Sequence, residues 1–156
     1  MIKVIGIGEY AISNNEEDII KTFALGSCVA LAIYCPKVKK LGMVHIALPD
    51  STIRKNNNTQ EGYFADLATP MLFEKVCNGF FNFKMEYKVY MFGGALSKNN
   101  NDVFNVGLKN IIAITNILSK NNISFDYSNT GGYYSRTVEV DVKTGTPNVS
   151  LQLMNI

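Results

Sequence analysis

Hydrophobic and polar positions fall into a strand-like first third, a helical middle and a strand-like end. Val29-Ala30-Leu31-Ala32-Ile33-Tyr34-Cys35 is an unbroken apolar run, the pattern of a strand buried on both faces. Pro36 stops it, residues 37–40 turn the chain, and residues 41–48 form a second apolar strand. The two are predicted to pair as an antiparallel hairpin. Residues 1–8 read as a strand and residues 14–18 as a polar loop. From residue 63 to 77 the spacing becomes helical, with Phe64, Leu67, Ala68, Met71, Leu72 and Val76 on one face. Pro70 lies inside that face and is expected to kink or break the helix. Met85, Tyr87, Val89 and Met91 then alternate with Glu86, Lys88 and Tyr90, a two-faced strand ending at Phe92-Gly93-Gly94-Ala95.

A second helix is predicted from about Asp102, as N-cap, to Asn121-Asn122, with Phe104, Leu108, Ile111, Ile112, Thr115 and Leu118 facing inward. Residues 123–127, 133–142 and 148–154 read as strands, the last two joined by a turn at Thr144-Gly145. The Asn-rich stretches at 51–60 and 99–101 read as surface loops. The order β-β-β-α-β-α-β-β-β predicts an α/β fold of the mixed α+β kind, a layered sandwich of mostly antiparallel strands with helices packed outside, in one domain spanning residues 1–156.

Composition removes several function classes. A net charge of +2, without a dense Lys/Arg run, gives no nucleic-acid or membrane-surface signature. The apolar stretch near residue 5 is too short for a signal peptide, and no segment approaches the roughly 18 apolar residues of a membrane span. Three cysteines cannot all pair within one chain, and their spacing is not that of a disulfide framework. The expected compartment is the reducing cytosol.

The candidate chemistry starts from His45, the only histidine, set in the apolar run Met43-Val44-His45-Ile46-Ala47. Seventeen positions earlier, Cys28 follows a Gly26-Ser27 bend and leads into the first apolar strand. A thiol attacks as thiolate, and an imidazole within reach can take its proton. The bend lets the side chain project, with a backbone N–H beside it as one limb of an oxyanion hole. A buried structural thiol and a core histidine are the plain alternatives. Strand parity is the geometric test. With the turn centred on residues 37–39, Cys35 faces Leu41, Leu31 faces His45, and Cys28 and His45 point to opposite faces. Either a one-residue bulge at Gly42, which sets His45 opposite Ala30, or placement of Cys28 on the bend itself restores them to one side. A zinc site from Cys28, Cys35, Cys77 and His45 is disfavoured, because Cys28 and Cys35 have opposite parity and no close Cys pair exists. Gly93-Gly94 and Gly131-Gly132 lack phosphate-loop spacing and read as turns. The Thr22 hydroxyl could hold one ring nitrogen of His45 and fix its tautomer.

Thr22-Phe23-Ala24-Leu25-Gly26-Ser27-Cys28-Val29 followed by Met43-Val44-His45-Ile46-Ala47-Leu48-Pro49 resembles the signature of the chemoreceptor glutamine deamidase family, CheD. The resemblance continues through Tyr63, Pro70-Met71-Leu72, Phe92-Gly93-Gly94-Ala95, Gly107-Leu108-Lys109-Asn110, and Gly131-Gly132 with Arg136. Where the family pattern commonly has Asn before the histidine, this chain has Val44, a difference expected to bear on substrate positioning. The resemblance implies a cytoplasmic, cofactor-free hydrolase that converts glutamines of methyl-accepting chemotaxis receptors to glutamates. It implies a fold similar to the deamidase domain of cytotoxic necrotizing factor toxins, and the CheC phosphatase as a partner. Carried over by motif, Cys28 is the nucleophile, His45 the base and Thr22 the residue that orients it. The alternative is a non-catalytic adaptor of the same fold that binds a chemotaxis phosphatase or receptor tails. Faster alkylation of Cys28 than of Cys35 and Cys77 would separate the two.

Overall fold

The computed structural model describes residues 1–53, 60–80, 86–97 and 104–154. Among these, the order is β1 (Ile2–Val4), β2 (Tyr10–Ser13), β3 (Ile19–Leu25), β4 (Val29–Cys35), β5 (Lys40–Ile46), α1 (Ala65–Cys77), β6 (Lys88–Gly93), α2 (Val106–Lys120), β7 (Asp126–Thr130), β8 (Tyr134–Asp141) and β9 (Pro147–Leu153). A 3-10 turn at Ser51–Ile53 follows β5. One sheet runs β1-β3-β8-β9 and the other β2-β5-β4-β6-β7. Only β1–β3 and β6–β7 pair in parallel, so the sheets are mostly antiparallel as the sequence predicts.

Two apolar layers sort the side chains of β4 and β5 by parity. Val29, Leu31, Ile33, Val44 and Ile46 pack with Ala68, Leu72 and Val76 of α1 and with Ile114 and Leu118 of α2. Ala30, Ala32, Tyr34, Leu41 and Met43 pack instead with Ile20, Val138 and Val140 of the other sheet. The order is therefore sheet, sheet, helices. Both faces of β4 are covered, which is why its sequence is apolar throughout.

The hairpin forms as predicted, with a different register. Cys35 pairs with Lys40, and pairing runs without interruption to Val29 opposite Ile46. A turn one residue tighter, not a bulge at Gly42, brings His45 opposite Ala30. Gly42 serves packing: a Cβ there would collide with the Val76 side chain, so its absence lets α1 lie close on β5.

Four further expectations are corrected. The reading of residues 1–8 as one strand holds only for β1, and β2 and β3 lie on either side of the expected polar loop. Pro70 does not break α1, which continues from Ala65 to Cys77 with Ala68, Thr69, Leu72, Phe73 and Val76 buried. Burial of that face against β4 and β5 outweighs the one backbone hydrogen bond that a proline removes. Of the inward face expected for α2, Leu118 is buried and Ile111 packs on the core, but Phe104, Leu108 and Ile112 are exposed and Gly107, Asn110 and Ile114 turn inward. Close approach selects the small Gly107, where a Cβ would meet the Ala95 carbonyl. The strand expected at 123–127 begins later, at Asp126. Asp102, Met85 and the loops at 54–59 and 98–101 lie outside the described residues. No helix of the described residues is long and apolar enough to cross a membrane.

Candidate active site

His45 stands on the face of β5 that looks toward the first sheet, in line with Leu41 and Met43, and is only 4% exposed. Across the layer, Thr22 of β3 is fully buried and pairs with Val138 of β8. The Thr22 hydroxyl lies 2.7 Å from His45 Nδ1 and 2.8 Å from the carbonyl of Ile5. A hydroxyl has one proton, and a carbonyl can only accept. Thr22 therefore donates to Ile5 O and accepts from Nδ1–H. This assigns the neutral tautomer, leaving the Nε2 lone pair as the basic position of the ring. Nε2 is buried and has no hydrogen-bond partner among the described residues. Burial pushes the imidazole down from 6.5 to about 4, against an upward pull from the Glu9 carboxylate.

Cys28 reaches the same layer by a different device. Between Thr22 opposite Val138 and Leu25 opposite Arg136, β3 has one residue more than β8. Ala24 takes up this bulge at φ 53, and its N–H is held by Thr137 Oγ1 at 3.2 Å. The bulge turns Leu25 back to the interior and aims the chain across from one sheet to the other. Gly26, Ser27 and Cys28 make that crossing. Their three carbonyls accept from Ala95 N–H at 2.8 Å, Asn110 Nδ2 at 3.0 Å and Gly94 N–H at 2.8 Å. Cys28 is half-buried against the inter-sheet core, whereas Cys35 and Cys77 are buried. Cys28 is two residues from Ala30, the strand partner of His45, so thiol and imidazole enter the layer from adjacent strands. Nε2 makes no hydrogen bond to the thiol among the described residues. Burial raises the Cys28 thiol above its ordinary value. Thiol and imidazole are thus both held neutral at rest.

The residues that clamp the Cys28 bend were not assigned that role from the sequence. Asn110 Nδ2 donates to Ala47 O at 3.1 Å as well as to Ser27 O, tying the Cys28 bend to the end of the His45 strand. In the sequence it belongs to Gly107-Leu108-Lys109-Asn110, part of the resemblance, and is a polar residue at helical spacing with Gly107, Ile114 and Leu118; neither assigns it this role. Gly93-Gly94 is a clamp rather than a plain turn. A Cβ on Gly93, at φ +97, would collide with the Cys28 carbonyl. Arg136 is 5% exposed, and burial lowers its proton affinity. Val44 points away from His45 into the helix layer, against Leu31 and Ile46.

The family description "CheD chemotactic sensory transduction" matches residues 47–150. A probable chemoreceptor glutamine deamidase CheD of Syntrophotalea carbinolica is 44% identical, covering 94% of this chain and 92% of its own. The chain belongs to the CheD family. The chemoreceptor glutamine deamidase CheD of Bacillus subtilis is 36% identical, covering 92% of this chain and 87% of its own. That of Thermotoga maritima is 35% identical, with 93% and 88% covered. The family match begins at Ala47, so the geometry of Thr22, Cys28 and His45 is evidence separate from it.

Proposed function

We propose that the chain is a cysteine-dependent deamidase that hydrolyses glutamine side-chain amides of chemotaxis receptors to glutamates. Cys28 is its nucleophile, His45 its base and Thr22 the residue that orients the ring. The observation that carries this reading is the Thr22–His45 hydrogen bond, whose chain of donors leaves the buried Nε2 basic and unpartnered.

The Cys28 thiol gives its proton to His45 Nε2, and the sulfur attacks the side-chain amide carbon of a receptor glutamine. The oxyanion of the tetrahedral intermediate is met by backbone N–H groups of the Ser27-Cys28 bend, whose carbonyls are all turned to other partners. The C–N bond breaks as Nε2–H protonates the departing nitrogen, releasing ammonia and leaving a thioester on Cys28. Water then gives a proton to Nε2 and adds to the thioester. The carbon–sulfur bond breaks, Nε2–H returns the proton to sulfur, and glutamate is released. Nδ1–H donates to Thr22 throughout, so the ring shuttles the proton without turning.

Family membership also supports a cytoplasmic setting, CheC as a partner and a fold likeness to the cytotoxic necrotizing factor deamidase domain. The sheet–sheet–helix order is compatible with that last likeness. The test is to incubate the protein with a chemoreceptor cytoplasmic fragment and map tryptic peptides by mass spectrometry. The expected result is amide-to-acid conversion at discrete glutamines, absent with Cys28→Ala. A receptor fragment bound but chemically unchanged would favour the adaptor reading.

A further inference from the structure

We propose that Glu9 is a positioning residue of this site, a carboxylate fixed across the strand pair from His45 that steadies the imidazolium formed whenever the ring holds a second proton; this rests on the reading of His45 as the base. The chain enters β2 through a turn over residues 6–9, in which Glu9 N–H donates to Gly6 O at 3.0 Å. Gly8 adopts φ +80, a conformation that glycine takes without the steric cost of a side chain. Gly8 and Glu9 then face the single residue His45. Gly8 N–H donates to His45 O at 2.8 Å, and His45 N–H donates to Glu9 O at 3.0 Å. This is a bulge opened by a left-handed glycine. From Tyr10 opposite Val44 the register is regular, so Glu9 is the residue that stands across from His45. Opposite residues of an antiparallel pair project to the same face, with Cβ atoms about 5 Å apart.

The carboxylate is also held. Glu9 Oε1 accepts the Gly6 N–H at 2.6 Å, so the acid folds back over its own turn. Around the ring, β3 supplies the neutral Thr22 and β4 supplies Ala30, with Cys28 before it. The inner face of β8 carries Arg136, opposite Leu25, and α1 packs on the opposite face of β5. Tyr63 lies against Gly8. Among the described residues, Glu9 is the carboxylate whose charge raises the proton affinity of the imidazole. The ring takes a proton twice in each cycle, from the thiol and from water. A Cys-His-Thr arrangement offers no charge on the Nδ1 side, and Glu9 supplies one from the neighbouring strand.

Glu9→Gln tests this without removing the turn, because the amide Oε1 can still accept from Gly6. The single histidine gives an unambiguous NMR titration, read in the absence of substrate. Glu9→Gln is expected to lower the His45 midpoint by roughly half a unit to one unit. It is also expected to slow deamidation at neutral pH by about 3- to 10-fold, with the thermal midpoint kept. Glu9→Asp, which keeps the charge, should retain a midpoint near that of the unsubstituted protein. An unchanged midpoint in a folded Glu9→Gln protein overturns the proposal, whatever happens to the rate. If Glu9→Gln does not fold, salt serves in its place. Screening the exposed carboxylate by going from about 0.01 M to about 1 M salt should lower the midpoint in the unsubstituted protein, and a midpoint indifferent to salt overturns the proposal. Failure here leaves the Cys28 assignment standing, whereas an active Cys28→Ala protein removes that assignment without moving the His45 midpoint.

Discussion

Two buried polar pairs join the sheets across the same apolar layer, and they are completed differently. Beside Leu41, Ser13 Oγ donates to Asp18 Oδ2 at 2.6 Å and accepts from Asn15 N–H at 3.1 Å, and the Lys3 ammonium stands 3.6 Å from the same carboxylate oxygen. Four residues further along β5, His45 Nδ1 is bonded to Thr22 while Nε2 is left open. Buried polar atoms almost always find partners, and an unsatisfied one costs about 1–3 kcal/mol. The first pair is a joint. The second carries the same kind of link plus one reactive atom that the fold does not use, and the half-buried Cys28 lies in that layer. A buried polar pair alone does not mark a site; the second pair is set apart by its open basic atom.

The largest effect is expected from Cys28→Ala. It should reduce receptor deamidation by at least ~10³-fold while leaving the thermal midpoint in place, since only the thiol is removed from a bend held by its carbonyls. Residual activity within about tenfold of the unsubstituted protein would exclude Cys28 as nucleophile. Thr22→Val keeps the shape and removes the hydroxyl, freeing the tautomer and leaving Ile5 O unpaired. Its expected loss is ~10- to 10²-fold, less than that of His45→Ala on the same fragment. Asn110→Ala removes the tie between the Cys28 bend and Ala47. It should lower stability by about 1–3 kcal/mol and slow deamidation less than Thr22→Val does.

Ser13→Ala is the counterpart at the structural pair. It should lower the thermal midpoint and leave the rate per folded molecule unchanged. A rate loss equal to that of Thr22→Val would abolish the distinction between joint and site. pH separates the pairs further. The imidazole is depressed from 6.5 to about 4 by burial, so the unfolded chain takes up that proton first. The stability from neutral His45 is complete above 6.5 and lost as pH falls toward 4, a difference of up to about 3 kcal/mol. Asp18 is also depressed, chiefly by the Ser13 hydrogen bond, with the N-terminal ammonium and Lys3 adding and burial opposing. Its contribution persists until pH falls below the ordinary carboxylate value of 3.8. Acid unfolding curves of His45→Asn and Ser13→Ala should therefore differ from the unsubstituted protein in separate windows.

The hairpin that carries His45 was legible because β4 and β5 are apolar on both faces and bounded by Pro36. β3 was not, because its inward residues Ile20, Thr22 and Leu25 are not evenly spaced. The bulge at Phe23-Ala24 that places Cys28 is the same feature that hides the strand. On α2 the apolar count pointed to Phe104, Leu108 and Ile112, yet tight packing turned Gly107 and Asn110 inward. Cys28, His45 and Thr22 were accessible through residue chemistry and motif resemblance together. Glu9 was not, since strand pairing is what brings it to the site, and Asn110 was visible only as part of the resembling Gly107-Leu108-Lys109-Asn110, its role hidden because its hydrogen bonds join segments distant in sequence.

Deamidation is expected to pass through a thioester on Cys28, and trapping with hydroxylamine tests this most directly. With receptor fragment and the unsubstituted protein, hydroxylamine should compete with water and leave a hydroxamate at the same glutamines that otherwise become glutamate, while Cys28→Ala gives neither product. Glutamate formation that hydroxylamine never diverts, persisting in Cys28→Ala, would contradict the account.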